Sequence, residues 1–444
     1  MSKKLPYARG EWPLLGCLPA LLRDRLAFLR ECAREYDEAC GFHLALVDSI
    51  LLLKSEQLQS VLVEHAYDFS KGALMHKAIG GNGLFISEGE FHRKQRKLMA
   101  PSFQPRHIVS YADTMTRYGE QMQQQWHSGE EIDLNKAMTA VTLSIVGKTL
   151  FDADVFDETD AFSAAFVVTF EYTSTTFTSP LRPPLNWPTP YNLRVQKAMR
   201  QITERLQQMI DERHRSGTDG RNDLLSVLLN ARDEDGEPMS SQQLMDECTT
   251  LFAAGHETTA ASLTWAWYLL CQHPDIYKKV QEEVDGVLQG RTPTYADLER
   301  LPYCRQVFKE VMRLYPPAFS FTREALRDME IDGYRVPKGM MVMISPYVMH
   351  YKPEYFPDPE RFDPDRFTPE REKQLPRYAY IPFGAGPRIC IGNYFALMEG
   401  QLLLATLAQR VSFEILPGQV VKPEMNKTLT LRPYGPVRAV VHRR

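Results

Sequence analysis

The sequence predicts a mainly α protein with a small β region, an α+β fold, and three observations predict it. Apolar residues recur at three- and four-residue spacing through 107–150, 194–214, 240–272, 276–288 and 302–315, as in amphipathic helices. Strand-like runs are few and sit in two places, 42–53 and 329–346. With 43% hydrophobic and 24% charged residues over 444 positions, the chain has an ordinary globular balance and material for a large core.

Taken in order, residues 12–22 are apolar but interrupted by Pro13, Gly16 and Pro19. The stretch falls short of the ~20 apolar residues a spanning helix needs and lacks a small-residue cleavage site, so no membrane span and a cytoplasmic location are expected. Around 42–53 a short apolar run carries strand signals. Five prolines keep 179–190 out of helix, and 215–222 and 233–238 are polar, glycine-rich connections. The run 240–272 opens with Ser240-x-x-Gln243, a capping box. Pro316-Pro317 ends the run 302–315. Within 329–346, Asp332-Gly333 and Pro337-Lys338-Gly339 mark turns between apolar segments. No repeat or linker interrupts the chain, so 1–444 is expected to be one domain, although length alone suggests about three.

Charge and cysteine usage exclude other classes. The 52 basic and 56 acidic residues leave a net charge of −4 and no basic stripe, so no nucleic-acid partner is expected. Seven cysteines without paired spacing argue for a reducing compartment rather than a disulfide scaffold.

The strongest chemical signal is Phe383-Gly-Ala-Gly-Pro-Arg-Ile-Cys-Ile-Gly392. A cysteine that ligates iron must be deprotonated in a fairly dry pocket, with backbone N–H groups turned toward the sulfur. Glycines at 384, 386 and 392 allow such a tight backbone. Arg388 offers a fixed cation for an anionic group, and the helix pattern that follows adds an N-terminal dipole. On spacing alone, a buried structural cysteine in a glycine-rich turn explains Cys390 equally well. A second signal is Ala254-Gly-His-Glu-Thr-Thr259, inside the run 240–272. Gly255, a carboxylate and two threonines are costly in a packed helix unless they face something. Ala254 and Gly255 would leave room for a flat ligand, with Glu257 and Thr258 beside it; a kinked helix with a solvated Glu is the plain alternative.

Here the chain resembles the cytochrome P450 family, whose cysteine loop reads Phe-x-x-Gly-x-Arg-x-Cys-x-Gly. Phe383, Gly386, Arg388, Cys390 and Gly392 match every fixed position. The resemblance spans nearly the whole chain and implies a P450 fold holding haem b, with Cys390 as thiolate ligand. It implies haem contacts from Phe383, Arg388, Gly392 and Ala254, and an acid–alcohol pair, Glu257 and Thr258, that passes protons to dioxygen. Glu310-Val-Met-Arg313 with Arg366 of Pro364-Asp-Arg-Phe367 match a buried structural network of the family. Arg96 and Arg323 match propionate-binding positions. His92 stands where the family commonly has Trp.

The resemblance further implies a monooxygenase that inserts one atom of O2 into a C–H or C=C bond of an apolar substrate such as a fatty acid, terpenoid or macrocycle. The substrate would meet the loop with Leu74, Ile79 and Phe85, then Phe170, then Phe252 and Ala253. Ala318, Phe319 and Leu429 complete that set. The Ala254–Thr259 wording and Asp223-Leu-Leu-Ser-Val-Leu-Leu look more like the fatty-acid-hydroxylating branch. No flavin, NAD or iron–sulfur motif follows Cys390, so electrons are expected from a separate ferredoxin or flavodoxin with its NAD(P)H-dependent reductase. That partner would dock at Arg93, Lys94 and Lys97, and the protein is expected to be a monomer. A peroxide-driven peroxygenase ranks lower because such members tend to lose the acid–alcohol pair. A haem sensor or carrier ranks lower because it has no need of one.

Overall fold

The structure is a computed structural model that describes residues 3–178, 183–221, 223–232, 236–424 and 428–444. Of the connections expected at 179–190, 215–222 and 233–238, residues 179–182, 222 and 233–235 lie outside the described set. The chain divides into two compact units: Met1–Ile79 with Lys309–Cys390, and Gly80–Phe308 with Ile391–Arg444.

The first unit carries β1 (Ala39–Leu44), β2 (Val47–Leu52), β3 (Phe69–Ser70), β4 (Phe321–Ala325), β5 (Met329–Ile331), β6 (Tyr334–Val336) and β7 (Met341–Ile344). Five of them form a sheet in the order β1-β2-β7-β4-β3, in which β2 and β7 run parallel. The strand signal around 42–53 therefore falls within a hairpin, Ala39–Leu44 with Val47–Leu52. The chain reverses at Ala45, φ 53°, and Leu44 pairs with Val47. Apolar side chains continue through the turn (Leu46 is 91% exposed), so hydrophobicity alone hides it. The hairpin β5–β6 turns at Asp332 and Gly333 with both φ positive, as the Asp-Gly pair demands. Ile50, Leu52, Val342 and Ile344 on the sheet bury themselves against Leu62, Ile381 and Ala385, which anchors the segment leading to Cys390.

The second unit is mostly helical: α1 (Leu134–Phe151), α2 (Thr159–Thr178), α3 (Pro190–Ser216), α4 (Ser241–Gln272) and α5 (Asn393–Arg410) are its main rods. Pro190 opens α3 at a position where its missing N–H costs nothing. The expected helical run 107–150 is broken. Its first main helix ends at Gln124, and Glu131–Asp133 pairs as a strand with Arg438–Arg443. Asp133 then caps α1 by accepting from Asn135 N at 3.0 Å. Helix α4 packs lengthwise on α1 and buries Trp265 and Trp267, with Trp265 Nε1 donating to Leu431 O at 2.9 Å. Ser240 Oγ accepts from Gln243 N at 3.2 Å, one half of the expected capping box; the Gln243 amide donates elsewhere. Among the described residues, no helix is long and apolar enough to cross a membrane.

Candidate active site

In the first unit the sequence around Cys390 folds into a fixed turn. Cys390 N donates to Phe383 O at 2.9 Å and Ile389 N to Gly386 O at 3.0 Å. Gly386, φ +68°, lies so close to Leu62 O that a Cβ would come within 1.8 Å of it, so no other residue fits. Gly384 and Gly392 face open space instead. Cys390 is the exposed cysteine of the seven. An accessible thiol on a rigid turn, with no side chain at 384 or 392 to block a broad flat group, fits haem ligation by thiolate. Phe383 and Arg388 are half-buried on the same turn, and Arg323 is half-buried on β4, opposite Val342 of β7.

Glu310, Arg313 and Arg366 come together in the same unit. Glu310 accepts from Arg313 at 2.7 and 2.8 Å and from Asp363 N at 3.0 Å, and Arg366 Nε lies 3.5 Å away. Arg313 also donates to His350 O, Pro359 O and Arg361 O, so all five of its N–H groups are used. His350, which sequence reasoning missed, links this cluster to the cysteine segment. Its Nε2 accepts from Ile381 N at 3.0 Å, leaving Nδ1 as donor to Arg313 O at 3.3 Å. Burial, aided by the Arg313 charge, pushes His350 down to about 3 and keeps it neutral. A lone His in an apolar stretch carries no signal for this role.

In the second unit Ala254 is exposed on α4. One turn on, Thr258 Oγ1 donates to Ala254 O at 3.0 Å, so the two share a face. Gly255 does not make room for a ligand. A Cβ there would meet Val146 Cγ2 at 2.9 Å, so its missing side chain serves the close approach of α1. Glu257 points elsewhere than Thr258, because successive helical residues are about 100° apart. It lines a narrow cavity with Asn135, Thr139, Phe166, Phe170 and Arg432, with about 20 Å³ for a water. Among the described residues Glu257 Oε1 has no partner, and burial pushes the carboxyl up to about 7 against the pull of the Arg432 charge and the Thr430 side chain. The acid and the alcohol therefore occupy different faces of one helix. Arg432, far away in sequence, left no trace in any motif. His256 donates from Nδ1 to Phe252 O at 2.6 Å and is pushed down by burial to about 4, a neutral packing residue.

The remaining sequence-derived positions divide clearly. On helix Gly89–Met99, His92 is buried with Gln95 and Met99, and Arg96 is half-buried. Arg93, Lys94 and Lys97 are exposed, with Arg93 ion-paired to Glu90. Phe252 is fully buried, its ring 4.3 Å from Phe151 and 5.4 Å from Phe162, which makes it core and not pocket wall. Phe319 is buried too, whereas Leu74, Phe85 and Ala318 are exposed, and Ile79, Phe170, Ala253 and Leu429 are half-buried.

The first unit thus offers an accessible thiol on a glycine-set turn, and the second a buried acid beside a small cavity. The family model described as Cytochrome P450 matches residues 6–439, and the chain belongs to the cytochrome P450 family. It is similar to cyclooctatin synthase of Streptomyces melanosporofaciens, 37% identical over 98% of this chain and 94% of that protein. Cyclooctat-9-en-7-ol 5-monooxygenase of the same organism is 36% identical, covering 93% and 90%. Pentalenene oxygenase of Streptomyces avermitilis is 33% identical, covering 94% and 93%. The protein is a haem-thiolate monooxygenase that uses O2 and a redox partner on an apolar substrate.

Proposed function

We propose that Cys390 is the haem ligand and that this enzyme oxygenates a terpenoid hydrocarbon or alcohol. The observation that carries the ligand assignment is the turn itself: Gly386 pinned beneath Leu62 O, with Cys390 exposed at its end. The names of the three relatives, an olefinic alcohol and an olefin among their substrates, favour a terpenoid over a fatty acid. Haem supplies the redox chemistry: two-electron activation of O2 and transfer of one oxygen atom to carbon. The chain's own groups position and protonate. Arg388, Arg323, Arg96 and His92 hold the propionates, while Phe383, Gly392 and Ala254 leave the porphyrin its space. Glu257 keeps a proton near neutral pH, beside a cavity with room for one water to replace it. Thr258 must release Ala254 O to donate toward the oxygen.

Leu74, Ile79, Phe85, Phe170, Ala253, Ala318 and Leu429 meet the substrate. A ferredoxin or flavodoxin with an NAD(P)H-dependent reductase docks at Arg93, Lys94 and Lys97, and the enzyme works in the cytoplasm as a monomer of one haem domain. The test is Cys390→Ser. The red-shifted ferrous–CO band and substrate oxygenation are expected to vanish together; a variant that keeps the band rules out Cys390 as the ligand. Pentalenene titrated against the wild-type spin state, with dodecanoic acid in parallel, checks the substrate class.

A further inference from the structure

The first turns of α4 carry Gln243, Asp246, Glu247 and Thr250, which share one face by their spacing. That face holds the segment Gly80–Ser87 by its backbone. Asp246 Oδ2 accepts from Asn82 N at 2.6 Å, and Glu247 Oε2 accepts from Leu84 N at 2.8 Å. Gln243 Nε2 donates to Asn82 O at 3.2 Å and to Glu247 Oε1 at 2.7 Å, so it ties the acid and the segment together. The glycines of Gly80-Gly-Asn-Gly83 permit the contact. A Cβ at Gly83 would come within 2.2 Å of Thr250 Oγ1 and 2.7 Å of Asp246 O. Beyond it, Ile86 N and Ser87 N both donate to Gly83 O at 3.0 Å. Leu84 and Ile86 are buried, and Phe85 between them stands 47% exposed.

Glu247 is fully buried, and burial pushes its carboxyl up to about 7. A carboxyl in such a place is costly unless it is well hydrogen-bonded. Haem chemistry asks for none here; its observed occupation is holding Leu84 N.

We propose that Gln243, Asp246 and Glu247 are positioning residues that clamp Gly80–Ser87 to α4 and thereby fix where Phe85 stands, setting which substrates bind. This rests on the reading that the Leu74–Phe85 stretch meets substrate. A segment fixed beforehand loses little entropy when a ligand packs against it, so the clamp acts on binding and not on the chemical step.

The experiment uses the haem-loaded full chain with Glu247→Leu, Glu247→Gln and Gly83→Ala. Hydrogen exchange is followed at residues 82–87, and spectral titrations use imidazole as a compact iron ligand, 4-phenylimidazole as a bulky one, and pentalenene. Glu247→Leu and Gly83→Ala are expected to speed exchange there and weaken 4-phenylimidazole about tenfold, with imidazole and the ferrous–CO band unchanged. Pentalenene should show the same loss in apparent affinity with kcat at saturation preserved. Glu247→Gln keeps an oxygen for Leu84 N and should restore most of the difference. Gly83→Ala leaves the buried acid in place, so it carries the test if Glu247→Leu does not fold. Unchanged exchange in Gly83→Ala, or faster exchange with every titration unchanged, overturns the proposal. A wild type without the CO band instead sinks the haem reading, and the exchange result still stands by itself.

Discussion

Two buried glutamates, one in each unit, are treated in opposite ways. Glu310 is surrounded by donors: both ends of the Arg313 fork, Asp363 N, and Arg366 within 3.5 Å. Glu257 is also buried, yet among the described residues one of its oxygens is unpartnered and the charge nearby is the single cation Arg432. The difference teaches how to separate structure from chemistry when both look like buried acids. Burial raises both carboxyls, but the one whose oxygens are filled by donors is fixed in place and serves as a tie. An under-satisfied one sits near neutrality and can trade its proton.

The comparison breaks first at Arg313. Replacing it with Leu leaves Glu310 only Asp363 N and Arg366, takes a donor from three carbonyls, and should destabilise the first unit by ~3–5 kcal/mol. Denaturant unfolding checks this, and a loss near zero would mean that the cluster is not the tie described. Next comes Glu257→Gln, which keeps the shape and removes the exchangeable proton. Oxygenation should fall ~10²-fold or more with pentalenene affinity and haem content intact, as measured by product formed per NAD(P)H consumed. A smaller effect is expected for Arg432→Gln. Without that charge the Glu257 proton is held more tightly, so the alkaline limb of the pH–rate profile should move up by about one unit.

A further effect is on stability. Glu257 is protonated up to about 7 in the folded protein but only to about 4.5 when unfolded, so folding takes up a proton between those values. Its contribution is complete below pH 4.5 and fades as pH rises through 7, by up to about 3 kcal/mol. Thermal midpoints read from pH 5 to 8 should therefore decline less in Glu257→Gln than in the wild type.

Much of this was legible in the sequence because the signals are local. The cysteine turn is set by glycines within ten positions, and Glu310 and Arg313 are one helical turn apart. Contacts between distant segments were not legible. Gly255 reads as space for a ligand until Val146 is seen against it, and the cation beside Glu257 comes from the C-terminal part of the chain. The hairpin within 42–53 was hidden because Leu46 stays apolar at an exposed tip. The acids that hold Gly80–Ser87 looked like ordinary polar residues at the start of a helix, and their targets are backbone amides that no side-chain pattern records.

The guanidinium of Arg313 reaches carbonyls at 350, 359 and 361, in a stretch with almost no regular secondary structure. Coil of that kind ordinarily frays first and is cut first by proteases. Here a single side chain fastens it from three points, so opening it means exposing a buried charge. Its amides should exchange as slowly as those of the helix that carries Arg313, making irregular chain one of the last parts of the unit to come apart.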